Sequence, residues 1–264
     1  MKMVKTPEAS VCSVCGTGPT IDAHLFPRAL GHDLRGREKH LFVGAVAAPG
    51  RRTVQAGLFD PGILCGAHEA ELGPYDTYAI EFFRTFRARC QHPAPNIWRV
   101  HGADGDQLTR FWVAVLWRFG VSRLREAGLV NLGPFADRLR DILFSHTPCS
   151  VEPAVIMCRY RSRVMRPENI CFPPYASKFP MPPSLHGVPS LNAYGIAVAG
   201  FQAFVKLDDR PLPPMGHALT INGKAEITGG YIEFETTEQF RRMLQVANNM
   251  AQKPNPRRAE RHET

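Results

Sequence analysis

The residues Tyr75, Tyr78, Ala79, Phe82, Phe83 and Phe86 fall at i, i+3, i+4, i+7, i+8 and i+11, which predicts a helix with one continuous apolar face. Pro74 suits the first turn of that helix. The aromatic face reads as core rather than as a platform for stacking bases. The same period returns at Leu108, Phe111, Trp112, Val115, Leu116 and Phe119, predicting a second helix. Arg110, Arg118, Arg123 and Arg125 lie among or beyond those positions and read as a solvated face, with phosphate contact as the alternative. "LGPFADRLRDILF" predicts a third helix with Pro134 near its start, and "QHPAPNIW" between the first two helices reads as a linker. Upstream, "LFVGAVAAPGRRTVQAGLF" from Leu41 predicts two short strands around a Pro49-Gly50 turn.

The texture changes from Pro153. "AVIMCRY", "YGIAVAGFQAFVKL", "HALTI" and "YIEFE" read as strands, while the six prolines of "CFPPYASKFPMPPSLHGVPS" are too many for a helix or a central strand. "TTEQFRRMLQVANNM" predicts a closing helix, with Thr236 or Thr237 as N-cap and Gln239 available for a capping box. The expected organisation is α+β: a zinc module over 1–92, a helical then α+β accessory domain over 93–251, and a basic disordered tail over 252–264. Residues 1–10 read as a loose lead-in, and no internal repeat is visible.

Bulk properties narrow the class. The 264 residues are 44% apolar, enough to bury a core without disulfide staples. No apolar run approaches the roughly 20 residues that span a bilayer, and the N-terminus lacks the apolar segment of a secretory signal. A cytoplasmic protein without membrane association is expected. The net charge of +8 favours an acidic partner, nucleic acid first. Of seven cysteines, Cys90, Cys149, Cys158 and Cys171 show no ligand spacing and read as reduced, mostly buried residues.

The remaining three carry chemistry. Cys12-x2-Cys15 lets two thiolates grip one tetrahedral Zn²⁺ from a tight turn. Cys65-x2-His68, about fifty residues later, repeats the spacing with an imidazole in place of one thiolate. A Cys₃His set is a known structural zinc arrangement. If the second pair opens a helix, knuckle, hairpin and helix form a treble clef, a ββα-metal unit. His24 in "IDAHLFP" reads as an ordinary core or surface histidine, or as a general base beside the knuckle. His146, His186 and His217 are isolated, and the chain has neither a G-x-x-x-x-G-K-[ST] loop nor a G-x-S-x-G elbow.

At these residues the chain resembles the HNH endonuclease superfamily in its treble-clef, zinc-bearing branch. The resemblance rests on Cys12 and Cys15, on His24 in "AHLFP", on Asp60 in "FDPGILC", and on Glu69 directly after His68. Within that superfamily it is similar to a group of poorly characterised bacterial proteins with "SHIIP" near the start and "GI…LLC..C…L..YD.YA" later. The helices "LTRFWVAVLWRFGVSR" and "NLGPFADRLRDIL" are similar to that group's downstream region, so the resemblance spans residues 11 to about 145. It implies His24 as general base, Asp60 as the group orienting it, and Glu69 as a further catalytic residue. It also implies a Mg²⁺ or Mn²⁺ ion held by Asp22 or Glu69, separate from the structural zinc. The chain departs from the family pattern at Ala23, where Asp, Glu or His often precedes the base, at Glu69 in place of a terminal His, and at His68 in place of a cysteine.

Two functions therefore stand side by side. One is a metal-dependent endonuclease acting on DNA, with phage defence or a mobile element as its setting. The other is a non-catalytic zinc module that binds nucleic acid or a protein partner. The sequence leaves the oligomeric state open.

Overall fold

The computed structural model describes residues 11–39, 41–45, 48–55, 57–124, 127, 130–145, 152–180 and 190–251. The expected lead-in, the basic tail from residue 252, and Arg125, His146, Cys149 and His186 lie outside the described residues. The architecture is mixed α+β. Strand β1 (Ile21–His24) pairs antiparallel with β4 (Phe59–Leu64). Between them the chain inserts helix α1 (Arg28–Arg35) and an antiparallel ribbon of β2 (Leu41–Ala45) and β3 (Ala48–Val54). Helix α2 (Gly66–Arg89) follows, then β5 (Gln91–Ala94), β6 (Ile97–His101), α3 (Gly105–Val121) and α4 (Phe135–Phe144). The remainder contributes β7 (Val155–Arg161), β8 (Phe172–Lys178), β9 (Asn192–Val198), β10 (Phe201–Lys206), α5 (Pro214–Leu219), β11 (Glu226–Glu233) and α6 (Glu238–Ala251).

Seven strands form one sheet in the order β5-β6-β11-β7-β10-β9-β8, with β11 and β7 parallel and the other neighbours antiparallel. Its two edges carry the prolines: Pro93 in β5, and Pro173 and Pro174 in β8. Proline cannot donate to a ladder, so it is tolerated at an edge and blunts further pairing there.

The apolar face of α2 docks on this sheet through rings. Phe82, Phe83 and Phe86 surround Phe201 of β10 with centroids 5.8, 5.1 and 4.8 Å away, and Trp98 of β6 closes the group. Helix α3 is buried all round from Leu108 to Phe119, the pattern of a helix at the centre of a core. Asp104 caps it by accepting from the Gln107 amide at 3.0 Å. Gly105 opens it because the Ile221 carbonyl lies where a Cβ would stand. One apolar cluster runs continuously from Cys12 and Ala23 through α2 and α3 to Val205 and Ile227.

Several sequence expectations need correction. The first helix starts at Gly66, so Pro74 is interior to it. An interior proline costs about 3 kcal/mol, and the buried Leu72 upstream helps offset it. Ala45 pairs with Ala48, and Pro49 and Gly50 lie inside β3. The presumed linker "QHPAPNIW" is mostly the β5–β6 hairpin. "YGIAVAGFQ" is broken into β9 and β10 by Ala199 and Gly200, both at positive φ, as a tight hairpin turn requires. "HALTI" begins in α5, with Pro214 at its first position, and leaves it at Thr220. "YIEFE" is strand only to Glu233 and then becomes a 3₁₀ turn. Thr237 accepts from the Phe240 amide at 3.2 Å as the α6 cap, which puts Phe240 where a capping box needs Glu or Gln.

The arginines of α3 are not a solvated face. Arg118 is 0% exposed and makes two parallel hydrogen bonds to Asp76 of α2, at 3.1 and 2.9 Å. Arg110 is also buried and donates to Asp106 at 2.8 Å. A buried guanidinium without its carboxylate is strongly destabilising. Asp76→Ala is therefore expected to lower stability by about 3 kcal/mol or more in denaturant unfolding, and adding Arg118→Met should recover part of the loss. A loss below about 1 kcal/mol in the single variant would show that the pair does not hold α2 to α3.

Candidate metal centre and the cleft beside it

The knuckle forms because Gly16 adopts φ +69° and closes a turn on Cys12, its amide bonding the Cys12 carbonyl at 2.9 Å. The Ser13 amide bonds the Ile63 carbonyl at 2.9 Å, which fixes the knuckle against β4. That strand runs directly into Cys65, the residue preceding α2, and His68 lies on the first helical turn. The four side chains converge. His68 Nδ1 is 3.1 Å from Cys65 Sγ and 3.5 Å from Cys12 Sγ, and all four ligand atoms lie within 4.8 Å of one another. Around a tetrahedral zinc with bonds of about 2.3 Å to sulfur and 2.0 Å to nitrogen, neighbouring ligand atoms stand roughly 3.5–3.8 Å apart. The cluster needs little adjustment to reach that spacing.

Its chemistry fits a soft divalent ion. Three thiols and one imidazole suit zinc, not the oxygen-seeking magnesium. The Thr17 hydroxyl, 2.9 Å from Cys15 Sγ, leads in lowering the Cys15 thiol to about 6, with the Thr17 backbone adding to it. At Cys65 the His68 backbone amide lowers the thiol pKa, but burial and the adjacent Cys12 outweigh it, so the net shift is upward. Thiolates packed this closely repel, and a bound cation removes that penalty. His68 turns Nε2 toward Glu71 Oε1 at 3.9 Å, the kind of outer partner that orients a ligating imidazole. Its ring meets Phe144 of α4 edge-on, with centroids 5.4 Å apart. Among the described residues this is the one group of three or more Cys, His, Asp or Glu placed to hold a metal. Cys90, Cys158 and Cys171 are free and partly buried, and burial pushes the Cys158 and Cys171 thiols up to about 11 and about 12.

The residues expected to be catalytic divide between two faces of the β1–β4 ribbon. Ala23 pairs with Asp60, and His24 with Phe59. Because side chains alternate along a strand, Asp60 and His24 project to opposite sides. Asp60 is 4% exposed and accepts from the Gly62 amide, the Ser122 hydroxyl and the Arg123 amide at 2.8, 2.7 and 2.9 Å. It ties β4 to the end of α3 and does not orient His24, which corrects the expectation.

His24 is half-buried, with Phe59 6.1 Å away between ring centroids. Desolvation, then the charges of Arg28 and Arg118, lower its pKa below 6.5, against the pull of Asp22 and Asp76. The shift favours the neutral imidazole. Glu69, one residue beyond the zinc ligand His68, turns away from the thiols toward Arg118, with 3.7 Å between Oε2 and Nη2. Burial raises its pKa despite Arg118, Asp76 adds to the rise, and the His24 backbone amide opposes it. Among the described residues, Glu69 Oε2 is buried without a hydrogen-bond partner, as is Nε of Arg118. Asp22 is exposed on β1 and acts on His24 through its charge. His24, Glu69 and Asp22 are not gathered into a second ligand set.

Asp76 and Arg118 were missed as members of this cleft. Glu69 and Asp76 stand seven apart, two turns along one face of α2, and an arginine inside "FWVAVLWRFG" is a buried charge in need of a partner. Those two signals together could have located the pair.

No helix among the described residues is long and apolar enough to cross a membrane. Removing the metal with a strong chelator, or by Cys65→Ala, is expected to cost about 3 kcal/mol or more of stability, with Cys158→Ala as the control that keeps metal. Acidification should release the ion as its ligands take up protons. An unfolding midpoint unchanged by chelation would contradict a structural role. No family model, curated protein or solved structure matches this chain.

Proposed function

We propose that the N-terminal unit is a treble clef of the HNH type, and that the chain hydrolyses phosphodiester bonds in nucleic acid, with DNA as substrate. The observation that carries this reading is the seating of His24. The Cys₃His cluster joins the knuckle to the start of α2, and the His24 backbone then meets Glu69, the residue after the ligand His68. An imidazole biased toward its neutral form, whose own backbone amide meets the Glu69 carboxylate, is suited to activating water. In this reading His24 takes the proton as the water oxygen attacks phosphorus and the leaving sugar oxygen departs. A Mg²⁺ or Mn²⁺ ion would supply charge stabilisation at the phosphate, with Glu69 or Asp22 as an oxygen donor. Arg28, exposed at the start of α1 and acting on His24 by charge, is positioned for a backbone phosphate.

A second reading has its own support. Asp60 is committed to holding Ser122 and Arg123, and Glu69 leans on Arg118, which suits a zinc-stabilised module that binds nucleic acid or protein without cutting. That module would bind DNA with an affinity falling steeply with salt and would cleave with no divalent ion.

A plasmid nicking assay with Mg²⁺ or Mn²⁺ separates the two. The nuclease reading predicts cleavage that falls by about 100-fold or more in His24→Ala while zinc content is unchanged. The rate should rise with pH as His24 loses its proton, below 6.5, and be level from neutrality upward. Cleavage that survives His24→Ala would remove His24 from this role, and binding without any cleavage would favour the second reading.

A further inference from the structure

The far end of α2 carries a second concave site. The helix has 24 residues, so at about 1.5 Å per residue its last turn lies roughly 35 Å from the metal cluster. There a cavity of about 280 Å³ opens between the end of α2 and strands β7 and β11. Arg87 reaches it from α2 and Arg159 and Arg161 from β7, while Cys90, His92 and Tyr231 line the rest.

Three guanidinium groups line this cavity, and one carboxylate, Glu168, contacts two of them. Glu168 accepts from Arg87 at 3.1 Å and also takes Arg159. Arg159 is 6% exposed at its side chain, lies over the rings of Phe86 and Phe201 at 4.9 and 4.5 Å, and donates to the Ala199 carbonyl at 3.0 Å. Arg161 stacks on Tyr231 at 3.7 Å and, among the described residues, donates to two neutral acceptors, Asn96 Oδ1 at 3.0 Å and the Pro95 carbonyl at 2.7 Å. At the other side of Tyr231, His92 Nε2 is 2.7 Å from its hydroxyl, and Cys90 Sγ is 3.8 Å from the same nitrogen. Burial pushes the Arg159 pKa down, Glu168 holds it up, and Arg87 again lowers it. Arg87 and Arg159 thus share one carboxylate, and Arg161 has no acidic partner among the described residues. A concavity of one sign focuses its field on a counter-ion. Guanidinium forks match the oxygens of phosphate, and a hydroxyl and an imidazole beside them add donors.

We propose that this cavity binds a small phosphate monoester, held by Arg87, Arg159 and Arg161, at a site separate from the His24 cleft. The volume of about 280 Å³ accommodates a phosphate with a sugar-sized neighbour. Its occupation would tie α2 to β7 and β11 and stiffen the end of the helix whose other end carries the metal ligands.

Calorimetric titration of the full chain with inorganic phosphate and with AMP tests this, alongside a short DNA duplex. Saturable 1:1 binding is expected, weakened about tenfold or more in Arg161→Gln and in Arg87→Gln, and retained in His24→Ala. Both arginine substitutions lie at partly or fully exposed side chains, and an unchanged unfolding midpoint without ligand would show that the fold survives. Absence of saturable binding by either probe up to about 10 mM would overturn the proposal. So would undiminished affinity in both arginine variants, or an effect of those variants on duplex binding alone.

Discussion

Cys12 and His68 are 56 positions apart, yet their ligand atoms stand 3.5 Å from each other. Drawing together chain ends so distant in sequence costs closure entropy, and crowding three thiols there adds electrostatic repulsion. A divalent ion bonded to all four side chains offsets both costs at once. The remaining architecture of the first ninety residues follows from that closure. The knuckle is hydrogen-bonded to β4, β4 is paired with β1 and runs into α2, and α1 with the β2–β3 ribbon forms an excursion between the two paired strands. His24 and Glu69 meet because one ends β1 and the other begins α2.

The second organising contact is the buried Arg118 with Asp76. Between its two buried arginines, Arg110 and Arg118, helix α3 is apolar on every side, which leaves few groups to fix its rotation against α2. A bidentate ion pair supplies direction that a smooth apolar surface does not. The same guanidinium also approaches Glu69 and lowers the pKa of His24, so one residue links the packing of the helices to the electrostatics of the cleft. The aromatic group around Phe201 then joins α2 to the seven-stranded sheet.

The metal cluster was legible in the sequence because ligand spacing is a local property: two x2 pairs announce two half-sites whatever lies between. The three main helices were legible for a similar reason, their apolar periods being long and regular. What escaped was decided by partners distant in sequence. Asp60 looked available to His24 until cross-strand register put the two on opposite faces. Arg118 looked solvated because charge usually is, and only the approach of Asp76 makes its burial tolerable. "HALTI" alternates well enough for a strand, but Pro213 and Pro214 ahead of it start a helix. The cavity near Arg159 has no sequence signature, since its arginines come from two elements more than seventy residues apart.

The central claim is that one zinc ion is held by three sulfurs and one nitrogen. X-ray absorption at the zinc edge, on protein purified without added metal, tests it most directly. About one zinc per chain is expected, with three sulfur neighbours near 2.3 Å and one nitrogen near 2.0 Å. Folded protein that carries no zinc, or zinc surrounded by oxygen and nitrogen alone, would contradict it.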